Sequence, residues 1–94
     1  MNDLIKLLKN LPDPAQLETF MEVFLTEHER NMLMERLEIF RSLAAGATQR
    51  QVAAQLGCSV VTVTRGAKVF RQHREIVNSW LRLIPPSPHA AAYL

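Results

Sequence analysis

Apolar residues recur along most of this chain at spacings of three and four, the period of an amphipathic helix rather than a strand. Leu4, Leu7, Leu8 and Leu11, widened by Ile5, predict a short helix over Asp3–Leu11 that Pro12 and Pro14 end. Pro14 also suits the first turn of a second helix capped by Asp13, with Leu17, Phe20, Met21 and Phe24 as its apolar face and a stop near Leu25. Thr26-Glu27-His28-Glu29 then spells a T-x-x-E capping box. It opens the longest helix, which runs to about Ala45 and is closed by Gly46. The stripe of that helix is Met32, Leu33, Leu37, Phe40, Leu43 and Ala44. Ile39 lies off the stripe and predicts cover on more than one side, as when a second chain wraps around the helix.

The stretch Thr48–Phe70 reads as two helices joined by a tight turn. Thr48 with Gln51 forms a T-x-x-Q capping box, and Ser59 is a good N-cap for a helix opening at Val60. Ala53 is the small residue where the helices cross, Gly57 takes φ > 0 in the turn, and Val63 faces Val52 and Leu56. The competing reading of Ser59–Thr64 as a strand rests on its β-branched run, and no second strand pattern exists to pair with it. A closing helix follows over Glu75–Ile84, with Ile76, Val77, Trp80, Leu81 and Ile84 as its stripe and Pro85-Pro86 as its stop. The fold class is therefore all-α, with six short helices. Its parts are a dimerising region over 1–46, a helix-turn-helix over 48–70, a closing helix over 75–84 and a flexible or loosely docked tail over 85–94.

Ninety-four residues bury only a modest core, yet 48% of them are hydrophobic, which favours a core shared between two subunits. The net charge of +2 conceals an asymmetry. Residues 1–46 hold five basic residues against eight acidic ones, whereas residues 47–75 hold Arg50, Arg65, Lys68, Arg71 and Arg74 against Glu75 alone. Basic charge is thus concentrated on the helix-turn-helix, as expected of a surface that approaches phosphates, although a solvated charged face has the same composition. The single cysteine, Cys58, makes an internal disulfide impossible and suits a reducing cytoplasm; its place in the turn predicts a small, mostly buried hydrophobe. The N-terminus is charged and lacks the apolar run of a signal peptide, and no segment is apolar enough to span a membrane. His28, His73 and His89 do not cluster with Cys58 at a metal-ligand spacing, and no nucleophile motif, phosphate loop or supported carboxylate pair is present. Neither a metal nor an enzyme activity is expected.

Several of these motifs agree in order and spacing with one family. Leu25–Arg30, Arg36, Thr48–Arg50, Leu56-Gly57, Thr62–Gly66 and the distance from there to Trp80-Leu81 resemble the Trp repressor family over about Phe24–Leu81. The resemblance implies an intertwined homodimer that binds operator DNA as a repressor, with L-tryptophan as corepressor. It also implies the docking geometry known for the Trp repressor, in which the second helix of the unit enters the major groove. Val60, Val61 and Thr64 are then the residues facing base edges, and Gln49, Arg50, Ser59, Thr62 and Lys68 contact phosphate, Arg50 also reaching guanine. Water-mediated contacts and DNA shape carry much of the specificity, as described for the Trp repressor itself.

For the ligand, the resemblance implies that an indole ring lies between Arg36 and Arg65, with Leu25 and Thr26 of a partner chain near its polar end and Gly66 approached closely. Two positions depart from the family pattern: Val69 replaces a serine that holds the ligand's ammonium group, and Phe40 replaces a smaller pocket-lining aliphatic residue. Read without the family, Arg36 could pair with a glutamate on its own helix and Arg65 could touch phosphate. Two further functions stand beside the corepressor-controlled repressor: a related DNA-binding regulator that takes no tryptophan or another small ligand, and a helical protein–protein adaptor.

Overall fold

A computed structural model describes residues 1–93, and every regular element among them is helical. In chain order these are α1 (Asn2–Lys9), α2 (Pro14–Phe24), α3 (Glu27–Ala44), α4 (Gln49–Leu56), α5 (Val60–Gln72), α6 (Arg74–Leu81) and α7 (Pro88–Ala91). The all-α expectation holds, and the count exceeds the expected six by one. The additional helix is a single turn in the segment expected as a flexible tail: Ser87 caps it by accepting from the amide of Ala90, and Pro88 occupies its first turn. Leu94, the last residue of that segment, lies outside the described residues.

The chain forms two compact units, Met1–Met32 and Leu33–Leu94. In the first, neither α1 nor α2 has a buried residue. Asp13 caps α2 by accepting from the amide of Gln16 at 3.1 Å. At the other end of α2, Arg30 donates through Nη1 to the carbonyl of Leu25 at 2.7 Å, satisfying one of the acceptors that a helix end leaves unpaired. The predicted capping box at the start of α3 closes in both directions: the amide of Glu29 donates to Thr26 Oγ1 at 3.1 Å, and the amide of Thr26 donates to Glu29 Oε1 at 2.8 Å.

The second unit is built around Ile39, Ala47, Val52, Ala53 and Val63, with Phe40, Leu43, Leu56, Cys58 and Tyr93 packed against them. Ile39, expected to one side of the apolar stripe, is the residue of α3 that enters the core cluster, at 1% exposure, while Leu33 on the expected stripe is 48% exposed. The cause lies opposite: a Cβ built on Gly66 of α5 would stand 2.9 Å from Ile39 Cγ2, so the missing side chain lets α5 come down on this face of α3. Gly46 ends α3 in the left-handed region at φ 103°. The amides of Gly46 and Ala47 return to the carbonyls of Leu43 and Ser42, closing the helix end with two bonds. The closing helix is shorter than expected, and of its predicted stripe Val77 is buried whereas Ile76, Trp80 and Ile84 are exposed.

Candidate nucleic-acid interface

Local capping chemistry sets the helix-turn-helix. Thr48 Oγ1 accepts from the amide of Gln51 at 3.2 Å, and the amide of Thr48 donates to Gln51 Oε1 at 2.8 Å. Gly57 ends α4 at φ 67° and ψ 30°, a left-handed conformation that glycine adopts at little cost. Ser59 then caps α5, accepting from the amide of Thr62 at 3.1 Å. Val60–Gln72 is helix throughout, so the β-branched run is not a strand; two caps and burial of Val63 outweigh local propensity. Val52, Ala53 and Val63 all face the core, as the steric reading of the turn requires.

The opposite edge is open. Val60 is 48% and Val61 60% exposed, on the first turn of α5. Ser59, Thr64, Arg50 and Lys68 are exposed, while Gln49 and Thr62 are half-buried. Two polar pairs order this edge: the hydroxyls of Ser59 and Thr62 lie 2.9 Å apart, and Thr64 Oγ1 donates to Gln49 Oε1 at 2.7 Å. Thr64 therefore presents its oxygen as an acceptor, and the Gln49 amide group keeps both its donors. Arg50, Arg65, Lys68 and Arg71 make no ion pair among the described residues, where the salt bridge present is Arg41–Glu38 at 2.9 Å. Their charge is available to an external anion, and α5 adds the positive end of its dipole beside Ser59.

Arg36 and Arg65 are both exposed, on α3 and α5. Arg36 lies one turn from Ile39, and Arg65 adjoins Gly66, so both flank the point where the two helices approach. The Arg36 guanidinium sits 5.9 Å from the centroid of the Phe40 ring, not against a glutamate. Phe40 in turn meets Phe70 at 6.0 Å between centroids. Gly66 is buried beneath Ile39, and Val69 is half-buried. In the first unit, half-buried Leu25 gives its carbonyl to Arg30, and Thr26 spends its hydroxyl on the cap of α3. A guanidinium can pair with a carboxylate or stack on a ring, Val69 offers no hydrogen-bond acceptor beside Gly66 and Phe40 already covers one side of Arg36.

Cys58 packs against the core, and desolvation by burial pushes its thiol up from the ordinary value, with Glu35 adding to the rise; both effects oppose thiolate formation. Among the described residues no group of three or more His, Cys, Asp or Glu side chains is placed to hold a metal ion. No helix among them is long and apolar enough to cross a membrane. Sequence reasoning missed the pairing of Thr64 with Gln49, and also a bond from the Tyr93 hydroxyl to Gln55 Oε1 at 2.7 Å.

The capped two-helix unit, its open apolar edge and its unpaired cations define an all-α helix-turn-helix protein. The family model for the Trp repressor protein matches residues 1–84, and the chain belongs to that family. It is 30% identical to the Trp operon repressor homolog of Aliivibrio fischeri (strain MJ11) over 81 residues, covering 85% of this chain and 75% of the relative. Identity is 36% over 73 residues with the homolog of Vibrio atlanticus, covering 77% of this chain and 74% of the relative. With the homolog of Vibrio cholerae it is 30% over 91 residues, covering 95% and 88%. No solved structure matches the chain.

Proposed function

We propose that this chain is a cytoplasmic, sequence-specific DNA-binding repressor of transcription that works as a homodimer and takes L-tryptophan as corepressor. The observation that carries the DNA reading is the edge formed by Val60, Val61 and Thr64 on the first turns of α5, with unpaired Arg50 and Lys68 exposed on the same two-helix unit. The two valines suit thymine methyl groups, the Thr64 oxygen suits a base-edge donor, and the cations with Gln49, Ser59 and Thr62 suit phosphate. Dimerisation is supported by apolar surface left uncovered on α1, α2 and α6, including Leu7, Phe24 and Trp80. Arg36 and Arg65 are the residues that hold the corepressor in this reading, with Leu25 and Thr26 of a partner chain, Phe40, Gly66 and Val69 around it.

Calorimetry of the purified protein with tryptophan, run beside a gel shift on duplexes enriched from a random pool, tests the proposal. Micromolar or tighter tryptophan binding that strengthens DNA binding supports it. No heat at millimolar tryptophan removes the corepressor. DNA affinity that does not fall as salt rises removes phosphate contact and leaves the adaptor reading.

A second reading keeps the dimeric DNA-binding regulator and drops tryptophan, and the Arg36–Phe40 contact favours it. An intramolecular aromatic ring lies 5.9 Å from the guanidinium that a ligand's ring would need. An Arg36→Ala variant with full DNA affinity supports this reading over the first.

A further inference from the structure

We infer that Ser87–Tyr93 is a brace on the first helix of the helix-turn-helix, and that Tyr93 is a positioning residue for the DNA-binding edge through its bond to Gln55. This segment lies beyond residues 1–84, the span the family model matches. Its own geometry is tightly set. Pro88 starts α7, Ser87 Oγ accepts from the amide of Ala90 at 3.2 Å, and the Ser87 carbonyl accepts from the amide of Ala91 at 2.8 Å. Ser87 and Ala90 are buried, at 6% and 2% exposure. The turn is therefore seated on the second unit rather than standing in solvent.

Tyr93 makes two kinds of contact. Its ring packs against the cluster of Ile39, Ala47, Val52, Ala53 and Val63, to which α4 contributes Val52 and Ala53. Its hydroxyl donates to Gln55 Oε1 at 2.7 Å, on the last turn of α4. An eight-residue helix is too short to be stable alone and takes its position from what packs against it. Here α5 covers one side and Tyr93 grips the C-terminal turn from another. The N-terminal turn of the same helix carries Gln49, which holds Thr64, and Arg50. Loosening Gln55 therefore frees α4 to shift against α5 and releases the Gln49–Thr64 pair at the DNA edge. The inference rests on the DNA reading for its functional half, while the brace itself is a statement about α4.

The test uses Tyr93→Phe, which keeps the ring and removes the hydroxyl, Gln55→Leu, the two combined, Gln55→Glu, and a chain ending at Pro86. Hydrogen exchange of the α4 amides and affinity for enriched duplex DNA are measured below the unfolding temperature. Tyr93→Phe and Gln55→Leu are each expected to speed α4 exchange about two- to tenfold and to weaken DNA binding by a similar factor. The double variant should be no worse than either single one, Gln55→Glu should stay near wild type because it keeps the acceptor, and the shortened chain should show the largest effect. Unchanged α4 exchange in Tyr93→Phe and in the shortened chain overturns the brace, as do additive effects of the two single changes. Faster exchange with unaltered DNA affinity overturns the positioning role. A wild-type chain that binds no DNA sinks the DNA reading instead, and the exchange measurements then decide the brace alone.

Discussion

Thr64 on α5 donates its hydroxyl hydrogen to Oε1 of Gln49 on α4 over 2.7 Å, so the two helices of the helix-turn-helix are tied together on their DNA-facing side in the proposed reading. An exposed bond of this kind adds little stability, about 0.5–1 kcal/mol, but it fixes which atoms each side chain offers. Thr64→Val keeps the shape and loses the bond. It should leave the melting temperature within a few degrees of wild type while weakening DNA binding about tenfold. Gln49→Ala should weaken binding similarly, and the double variant should not multiply the two losses, as anisotropy titrations at one fixed salt concentration will read.

Ile39 and Gly66 set the approach of α3 to α5. A Cβ at Gly66 meets Ile39 Cγ2 at 2.9 Å, with Ile39 Cδ1 and Cβ at 3.7 and 3.8 Å, and Ile39 is too buried to swing away freely. Gly66→Ala should therefore cost about 1–3 kcal/mol in denaturant unfolding, the range for forcing an extra methyl into a packed contact. In an Ile39→Ala background the same change should cost close to nothing, because the opposing methyl is gone. Equal costs in both backgrounds would place the strain elsewhere.

What could be read from the sequence divides by range. Thr26 with Glu29, Thr48 with Gln51, and Ser59 with Thr62 are partners three residues apart, and a capping bond at that distance is written in the local residue types. Gly57 was legible for the same reason, since a helix ending in a tight turn needs the left-handed region. Ile39 was not. A helix with apolar residues on several faces does not announce which face its own chain covers, and that choice is made by Gly66, far along the sequence. Thr64–Gln49 and Tyr93–Gln55 span 15 and 38 residues, and neither leaves a periodic trace. The candidate DNA residues were expected as a set from the family resemblance, while the bonds that order them were visible only in three dimensions.

The capping box at the head of α3 carries a pH dependence. Hydrogen bonds from the amide and hydroxyl of Thr26 lower the Glu29 carboxyl below its ordinary value of 4.5, with His28 adding to the effect. The folded form thus holds the proton less tightly than the unfolded form. The stabilisation is complete above about pH 4.5 and is lost as pH falls through the lower folded value. Thermal melts taken downward from pH 5 should show this loss for wild type, and Glu29→Gln, which keeps an acceptor but does not titrate, should flatten that part of the profile. A profile unchanged by Glu29→Gln would assign the acid sensitivity to other carboxylates.

Val69 is the position where the proposed corepressor is weakest. A ligand's ammonium group brought to this side of α5 meets a half-buried hydrocarbon instead of a hydroxyl, and leaving it one hydrogen bond short costs about 1–3 kcal/mol. Val69→Ser supplies the oxygen and loses some apolar burial, so stability should fall by about 1 kcal/mol while tryptophan affinity rises about tenfold in calorimetry. Phe40→Leu addresses the other departure by withdrawing the ring that lies 5.9 Å from Arg36, which should free that guanidinium for an external aromatic group. Combined, the two changes should add in their effect on tryptophan binding, because one acts at the ammonium end and the other at the ring. If the double variant stays folded and gains no affinity, Arg36 and Arg65 serve something other than tryptophan, and the reading with no tryptophan corepressor is the one to keep.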